Sequence, residues 1–231
     1  MKVGIICAGD KEVAPFIPML KEVKITQKAM LVFYEGWIEG VRIVTLFSGV
    51  CKVNAAIATQ ILIDHFECNV IINAGTAGGM HNGLKVMDTV ISSEAAYHDV
   101  DEKILTEFHP WLDTNCFQAD RQLLEIAQKT IRHFQTEQKI AVGRMVTGEK
   151  FIEDDQRSRI NSQYAPMSAD METASVAHVC YVNRKPFIAV RTITDTPDHK
   201  GVAAFEENCA KAAQASAEFV RMMLRIGDWR F

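Results

Sequence analysis

Paired-cysteine motifs are missing: the six cysteines (Cys7, Cys51, Cys68, Cys116, Cys180, Cys209) are scattered, with no C-x-x-C among them. Most lie in apolar runs, where a free thiol behaves as a small hydrophobe, so no disulfide framework is expected. No His/Cys/Asp cluster has ligand spacing, and neither a metal nor another cofactor is expected. Lys/Arg runs are missing too, and the formal charge is −4 with both signs interspersed, which argues against nucleic acid as a partner. No apolar run reaches the length of a membrane span. Met1-Lys2-Val3-Gly4-Ile5-Ile6-Cys7 lacks the basic start and long apolar segment of a secretory leader. A reducing, cytoplasmic setting without a membrane partner is expected. Neither G-x-G-x-x-G nor the Lys-Ser/Thr of a P-loop is found, which weakens a nicotinamide-dependent dehydrogenase and a triphosphate-binding reading. No internal repeat or low-complexity linker divides the chain.

What is there is an alternation of short apolar runs with helix-like stretches. Residues 3–7 read as a buried strand that stops at Ala8-Gly9-Asp10. A helix is expected over 12–21, although Pro15 and Pro18 weaken it. The β-rich runs 29–38 and 41–47 flank Glu39-Gly40, a two-residue hairpin signal. Residues 54–66 carry Ala55, Ala58, Ile61 and Leu62 at helical spacing behind Asn54, a candidate cap. Further strands are expected over 70–74, 89–92, 139–146, 166–170 and 186–192, and helices over 120–134, 173–181 and 205–226. Strands alternating with helices predict an α/β fold, a three-layer sandwich with a mixed, largely parallel central sheet. A chain of 231 residues, 48% of them apolar, can bury one sizeable core, so a single domain spanning 1–231 is expected.

Ligands of open α/β sheets gather beyond the carboxyl ends of the strands. That rule singles out residues 8–12, 48–52, 75–79, 146–152, 171–172 and 191–195. Asn73-Ala74-Gly75-Thr76-Ala77-Gly78-Gly79 either offers bare amides to a ligand oxygen or is a tight turn between strand and helix. Asp195 falls where a buried strand runs out, a setting that keeps a carboxyl protonated for general acid work. It equally suits a loop cap or a partner of Arg191. Glu172 at a strand exit favours a helix N-terminus, or presents a carboxylate to a sugar with the Met171 thioether alongside. Glu12 fits a solvated carboxylate of a first helical turn as well as a catalytic one.

Taken together, certain segments are more specific. They are Met1-Lys2-Val3-Gly4-Ile5-Ile6 through Glu12-Val13, Ser48-Gly49-Val50-Cys51-Lys52-Val53-Asn54-Ala55-Ala56, Val70 to Gly79, and Glu94-Ala95-Ala96-Tyr97-His98-Asp99. Thr147-Gly148-Glu149-Lys150-Phe151-Ile152, Asp170-Met171-Glu172-Thr173-Ala174, Ala177-His178-Val179-Cys180 and Arg191-Thr192-Ile193-Thr194-Asp195 follow. The set resembles the 5′-methylthioadenosine/S-adenosylhomocysteine nucleosidases of the wider nucleoside phosphorylase family, in order and spacing over nearly the whole chain. The resemblance implies a small-molecule nucleoside substrate and a homodimer, with which Trp37 and Trp111 are compatible. It implies that Asp195 protonates N7 of adenine and that Glu12 orients and deprotonates the attacking water, with Arg191 and Thr76 nearby. Glu172 would hold the ribose hydroxyls and Met171 would pack on the sugar. Phe151 would stack on adenine and the Ile152 backbone would pair with its edge. Gly78 and Thr194 join the substrate-binding set, and Val50 and Phe205 would lie near the 5′-substituent.

An acid on the base and carboxylates by the sugar suit an oxocarbenium-like transition state, positive on the sugar and negative on the base. Phosphorolytic relatives carry a phosphate-binding arginine soon after a G-D-P-type turn. Here the turn is Gly9-Asp10-Lys11-Glu12, and a carboxylate at that place repels a phosphate dianion, so hydrolysis is expected. Three features depart from the pattern: Thr76 and Thr194 replace serines, Asp170 replaces a glutamate, and residues 101–117 replace an F-G-Y-x-x-G-Q-like loop of the 5′-pocket. Ile104, Leu105, Phe108 and Trp111 are candidates to supply that loop's apolar surface. The alternatives are a nucleosidase or phosphorylase for other purine nucleosides, such as adenosine or aminodeoxyfutalosine, and a non-catalytic nucleoside-binding protein.

Overall fold

The apolar runs become strands of one mixed sheet. The computed structural model describes all residues except 109–111, 153, 199–200 and 230–231. The strands are β1 (Lys2–Cys7), β2 (Lys21–Lys28), β3 (Leu31–Ile38), β4 (Val41–Phe47), β5 (Val70–Gly79) and β6 (Thr89–Tyr97). They continue with β7 (Cys116–Gln118), β8 (Ile140–Thr147), β9 (Ser168–Asp170) and β10 (Phe187–Asp195). The α-helices are α1 (Asp10–Val13), α2 (Lys52–Asp64), α3 (Glu102–Glu107), α4 (Arg121–His133), α5 (Asp154–Tyr164), α6 (Thr173–Val182) and α7 (Gly201–Ile226).

β1 lies between β4 and β5, parallel to both, and β10 runs parallel to β5 on its other side. β10 pairs with β6, β6 with β8, β8 with β9, and β9 returns to β5. Five strands thus close into a small barrel at one end of the sheet, while β2 and β3 extend the other edge as an antiparallel ribbon. Every residue of β10 and nearly every residue of β5 is buried, as expected for parallel strands covered on both faces. One face packs against Ala55, Ala58 and Leu62 of α2 and Ala174, Val176 and Ala177 of α6. The other packs against Leu123, Ile126 and Ala127 of α4 and Phe219, Val220 and Met223 of α7. Helices on both faces make the three layers that the sequence pattern predicts.

Several local expectations change. The expected helix over 12–21 is a single turn at α1 and a 3-10 turn at Ile17–Met19, after which Lys21 already belongs to β2. β2 and α5 go unannounced, since β2 is mostly exposed and polar and α5 carries little apolar periodicity. The cap of α2 is Cys51, not Asn54, whose amide Nδ2 instead donates to the Val50 carbonyl at 2.8 Å. The glycine-rich segment 75–79 is no turn: β5 runs straight through it, because β9 and β10 flank it and supply its ladder partners.

Candidate active site

The carboxyl ends of β1, β4, β5, β8 and β10 converge, and Arg191 of β10 sits at their centre with no exposed surface. Its Nη1 lies 3.7 Å from Glu12 Oε1, its Nε 3.3 Å from Asp170 Oδ2, and its Nη2 3.2 Å from Glu172 Oε2. Further guanidinium hydrogens reach the Asn73 amide oxygen at 2.8 Å and the Thr76 carbonyl at 3.1 Å. Burial works against the charge of Arg191, but the carboxylates of Asp170, Glu12 and Glu172 outweigh it and raise the pKa.

Glu12 is 4% exposed, so it is not a solvated carboxylate. The short α1 turns it inward, where Oε2 accepts from Ala8 N at 2.7 Å and Gly9 N at 3.1 Å. Its Oε1 accepts from Thr76 N and Thr76 Oγ1, both at 2.7 Å. Gly75 makes this approach possible: a Cβ there would stand 2.5 Å from the Glu12 carboxyl carbon, and its φ of +152° is one that side-chain-bearing residues rarely adopt.

Glu172 is also buried. Its Oε1 accepts from Cys51 N at 3.0 Å, where the chain leaves β4 with Cys51 at φ +81°. A non-glycine residue in that region stores backbone strain, and the hydrogen bond to Glu172 helps to hold it. Burial pushes the Glu172 carboxyl up to about 7; Arg191 and the Cys51 amide oppose the rise, and the charges of Asp170 and Glu12 add to it.

Asp195 marks the other side of the crevice. A bulge between Ile193 and Asp195 shifts the register so that Asp195 faces Gly78 on β5, and such bulges re-aim a side chain. A Cβ on Gly78 would lie 3.0 Å from Asp195 Oδ2, so any larger residue would crowd this carboxyl. Thr194 Oγ1 donates to Asp195 Oδ1 at 2.8 Å. Burial raises the Asp195 carboxyl above its ordinary value, against the Thr194 bond and the charge of Arg157. Among the described residues the carboxylate partners of Arg191 are Glu12, Asp170 and Glu172, and Asp195 is not one of them. Gly78 lies two residues beyond Thr76, roughly 7 Å along a strand, so Glu12 and Asp195 border one crevice. Among the described residues no group of His, Cys, Asp and Glu forms a metal-holding cluster.

Phe151, half exposed, meets Phe205 of α7 edge to face with ring centroids 5.9 Å apart. Ile152 packs beside Val146 and Ile160, Val50 is exposed at the end of β4, and Met171 precedes Glu172. The structure thus brings the expected residues to one end of the sheet. It adds Asn73, Asp170, Thr173 and the Arg157 side chain, which donates to the Gly79 carbonyl at 2.6 Å. Asn73 was visible beside the glycines, but nothing in the polar sequence of α5 pointed to Arg157. Of the 5′-side candidates, Ile104 and Phe108 are exposed, Leu105 packs on the core, and Trp111 lies outside the described residues. Trp37 stands by the start of β1, at the end of the sheet away from this crevice. Two open clefts are lined by Trp37, and neither includes Glu12, Glu172, Arg191 or Asp195.

Residues 2–225 match the model of the Phosphorylase superfamily. The chain belongs to that superfamily. Within the family it is similar to the 5′-methylthioadenosine/S-adenosylhomocysteine nucleosidase of Actinobacillus succinogenes, 36% identical over 228 residues, covering 97% of this chain and 98% of the relative. The corresponding nucleosidase of Neisseria meningitidis, solved in complex with methylthio-immucillin-A, superposes with a TM-score of 0.89 at 32% identity, over 97% of this chain and 98% of that one. A futalosine hydrolase of Helicobacter pylori shares the fold at a TM-score of 0.87 and 24% identity, over 97% of both chains. The resemblance drawn from the sequence motifs therefore holds, and so does the fold class.

Proposed function

We propose that the chain hydrolyses the N-glycosidic bond of 5′-methylthioadenosine and S-adenosylhomocysteine, releasing adenine and the 5′-thio-substituted ribose. The observation that carries this reading is the contrast between two carboxyl groups bordering one crevice. Asp195 is biased by burial toward its protonated form, whereas the Glu12 oxygens accept from Ala8 N, Gly9 N, Thr76 N and Thr76 Oγ1. Two titratable groups held in opposite settings divide acid and base work.

In this mechanism Asp195 gives its proton to N7, which lets adenine leave as a neutral base. Positioned proton transfer of this kind supplies about 10²–10⁴-fold. Glu12 deprotonates the attacking water. The Thr76 hydroxyl is the one donor to Glu12 that can rotate away, and the water takes its place. Glu172 holds the ribose hydroxyls, and Met171 packs on the sugar. Phe151 stacks on the base, whose edge meets the Ile152 backbone, and Val50 and Phe205 border the 5′-substituent. Thr194 fixes the Asp195 rotamer, and the bare Gly78 lets that carboxyl approach. Three carboxylates around one guanidinium disfavour a phosphate dianion, which supports water as the nucleophile. No cofactor enters the scheme.

A single domain acting as a homodimer completes the reading. Exposed Val50, Val53, Ile57 and Val182 lie on or beside α2 and α6, and apolar exposure of this kind suits a second copy; a monomer mass by light scattering at micromolar concentration would contradict it. Substrate choice is tested by incubating the protein with methylthioadenosine, S-adenosylhomocysteine, adenosine and aminodeoxyfutalosine and measuring free base. The two thioethers are expected to be cleaved with the highest kcat/KM. A preference for adenosine or aminodeoxyfutalosine would reassign the substrate while leaving the bond cleaved unchanged.

A further inference from the structure

Asp170 has no part in the acid–base scheme, yet its carboxylate is among the most engaged groups at the site. Its side chain is 3% exposed. Oδ1 accepts from Thr147 Oγ1 at 2.7 Å, Thr173 N at 3.0 Å and Glu172 N at 3.2 Å. Oδ2 faces Arg191 Nε at 3.3 Å and accepts from Thr173 Oγ1. A threonine hydroxyl has one hydrogen; with it committed to Asp170, Asn73 Oδ1 takes its donor from Arg191 Nη2 at 2.8 Å. The main chain repeats the link, because Gly148 N donates to the Asp170 carbonyl at 3.1 Å. Thr147 and Gly148 begin the segment that carries Phe151 and Ile152 to the base side, while Glu172 and Arg191 serve the sugar side.

We propose that Asp170 is a positioning residue that holds the base-side segment and the sugar-side carboxylate in register with one another. The inference rests on the nucleosidase reading. One rigid carboxylate bonded to both sides fixes their separation, and a displacement of about 1 Å at reacting groups can cost on the order of 10²-fold in rate. It also adds negative charge beside Glu172, one of the causes that raise that carboxyl to about 7.

Asp170→Asn keeps the volume. The amide oxygen can replace Oδ1 against its three donors, but the NH₂ then meets Arg191 Nε donor against donor, while the Thr173 hydroxyl must turn toward Asn73 Oδ1 to accept from that NH₂. We expect kcat for methylthioadenosine to fall on the order of 10²-fold, with the acid limb of kcat/KM displaced to lower pH because a negative neighbour of Glu172 is gone. The limb reports the lost charge and kcat the lost register; a merely structural role would lower Tm and leave kcat of the folded protein in place. Thr147→Val and Thr147→Ser form a second pair: serine keeps the hydroxyl that donates to Asp170 and accepts from Ala174 N at 2.9 Å, and valine removes both bonds. Serine should retain most of kcat, and valine should lose at least tenfold while raising KM. D170N with the wild-type kcat and pH profile would overturn the proposal, as would equal rates for T147V and T147S. A wild-type protein that releases no base would overturn the functional reading itself, which keeps the two failures apart.

Discussion

Arg191 carries one positive charge against the carboxylates of Glu12, Asp170 and Glu172, and its complete burial makes that balance matter. Removing one partner from a buried charge cluster costs several kcal/mol, while changing a carboxyl to its amide preserves shape. Asp195→Asn and Glu12→Gln are expected to lose most turnover, each by at least 10²-fold; Asp195→Asn should keep its stability, whereas Glu12→Gln sets its NH₂ against a backbone N–H and should fold with a lowered Tm. Circular dichroism together with single-turnover kinetics checks this, and near-normal rates in either variant would remove its assigned role. The pH dependence follows from two raised carboxyls. In the proposed mechanism Asp195 acts protonated, so activity is expected to fall as pH rises through its elevated pKa. In the same mechanism Glu172 binds the ribose hydroxyls as a carboxylate, so activity is expected to fall as pH drops below about 7. Most of these residues were legible singly in the sequence because they stand where buried strands end. Their partnerships were not. Arg191 and Asp195, four residues apart, looked like a possible pair, and only the convergence of five strand ends shows that Arg191 belongs to Glu12, Asp170 and Glu172.

At the scale of elements, β5 and β10 decide the geometry. The stretch 75–79 was legible as a close approach but not as strand, because glycines weaken a strand pattern and the ladder partners that override it, β9 and the last residues of β10, are distant in sequence. Gly75 is there because Glu12 occupies the space of its missing side chain. Gly75→Ala forces either φ away from +152° or Glu12 out of its four hydrogen bonds. We expect activity to fall by more than 10²-fold and stability to fall by about 1–3 kcal/mol, read by denaturant unfolding. A variant with the wild-type midpoint and rate would contradict the placement of Glu12. The short register slip at the end of β10, which turns Asp195 over Gly78, has no sequence signature at all.

Over the whole molecule the α/β layering was legible, since the buried strands of the parallel core read as apolar runs and their covering helices as periodic ones. Less legible were the exposed β2–β3 ribbon and the closure of five strands into a barrel, both set by tertiary pairing and not by local preference. Layering brings the strand ends together, and the charge of that gathering favours water over phosphate as the nucleophile. The direct measurement is the product of methylthioadenosine turnover in buffers with and without inorganic phosphate, followed by phosphorus NMR and chromatography. Free methylthioribose and adenine, formed at the same rate in both buffers, are expected. A sugar 1-phosphate, or turnover that requires phosphate, would contradict a water molecule steered by Glu12.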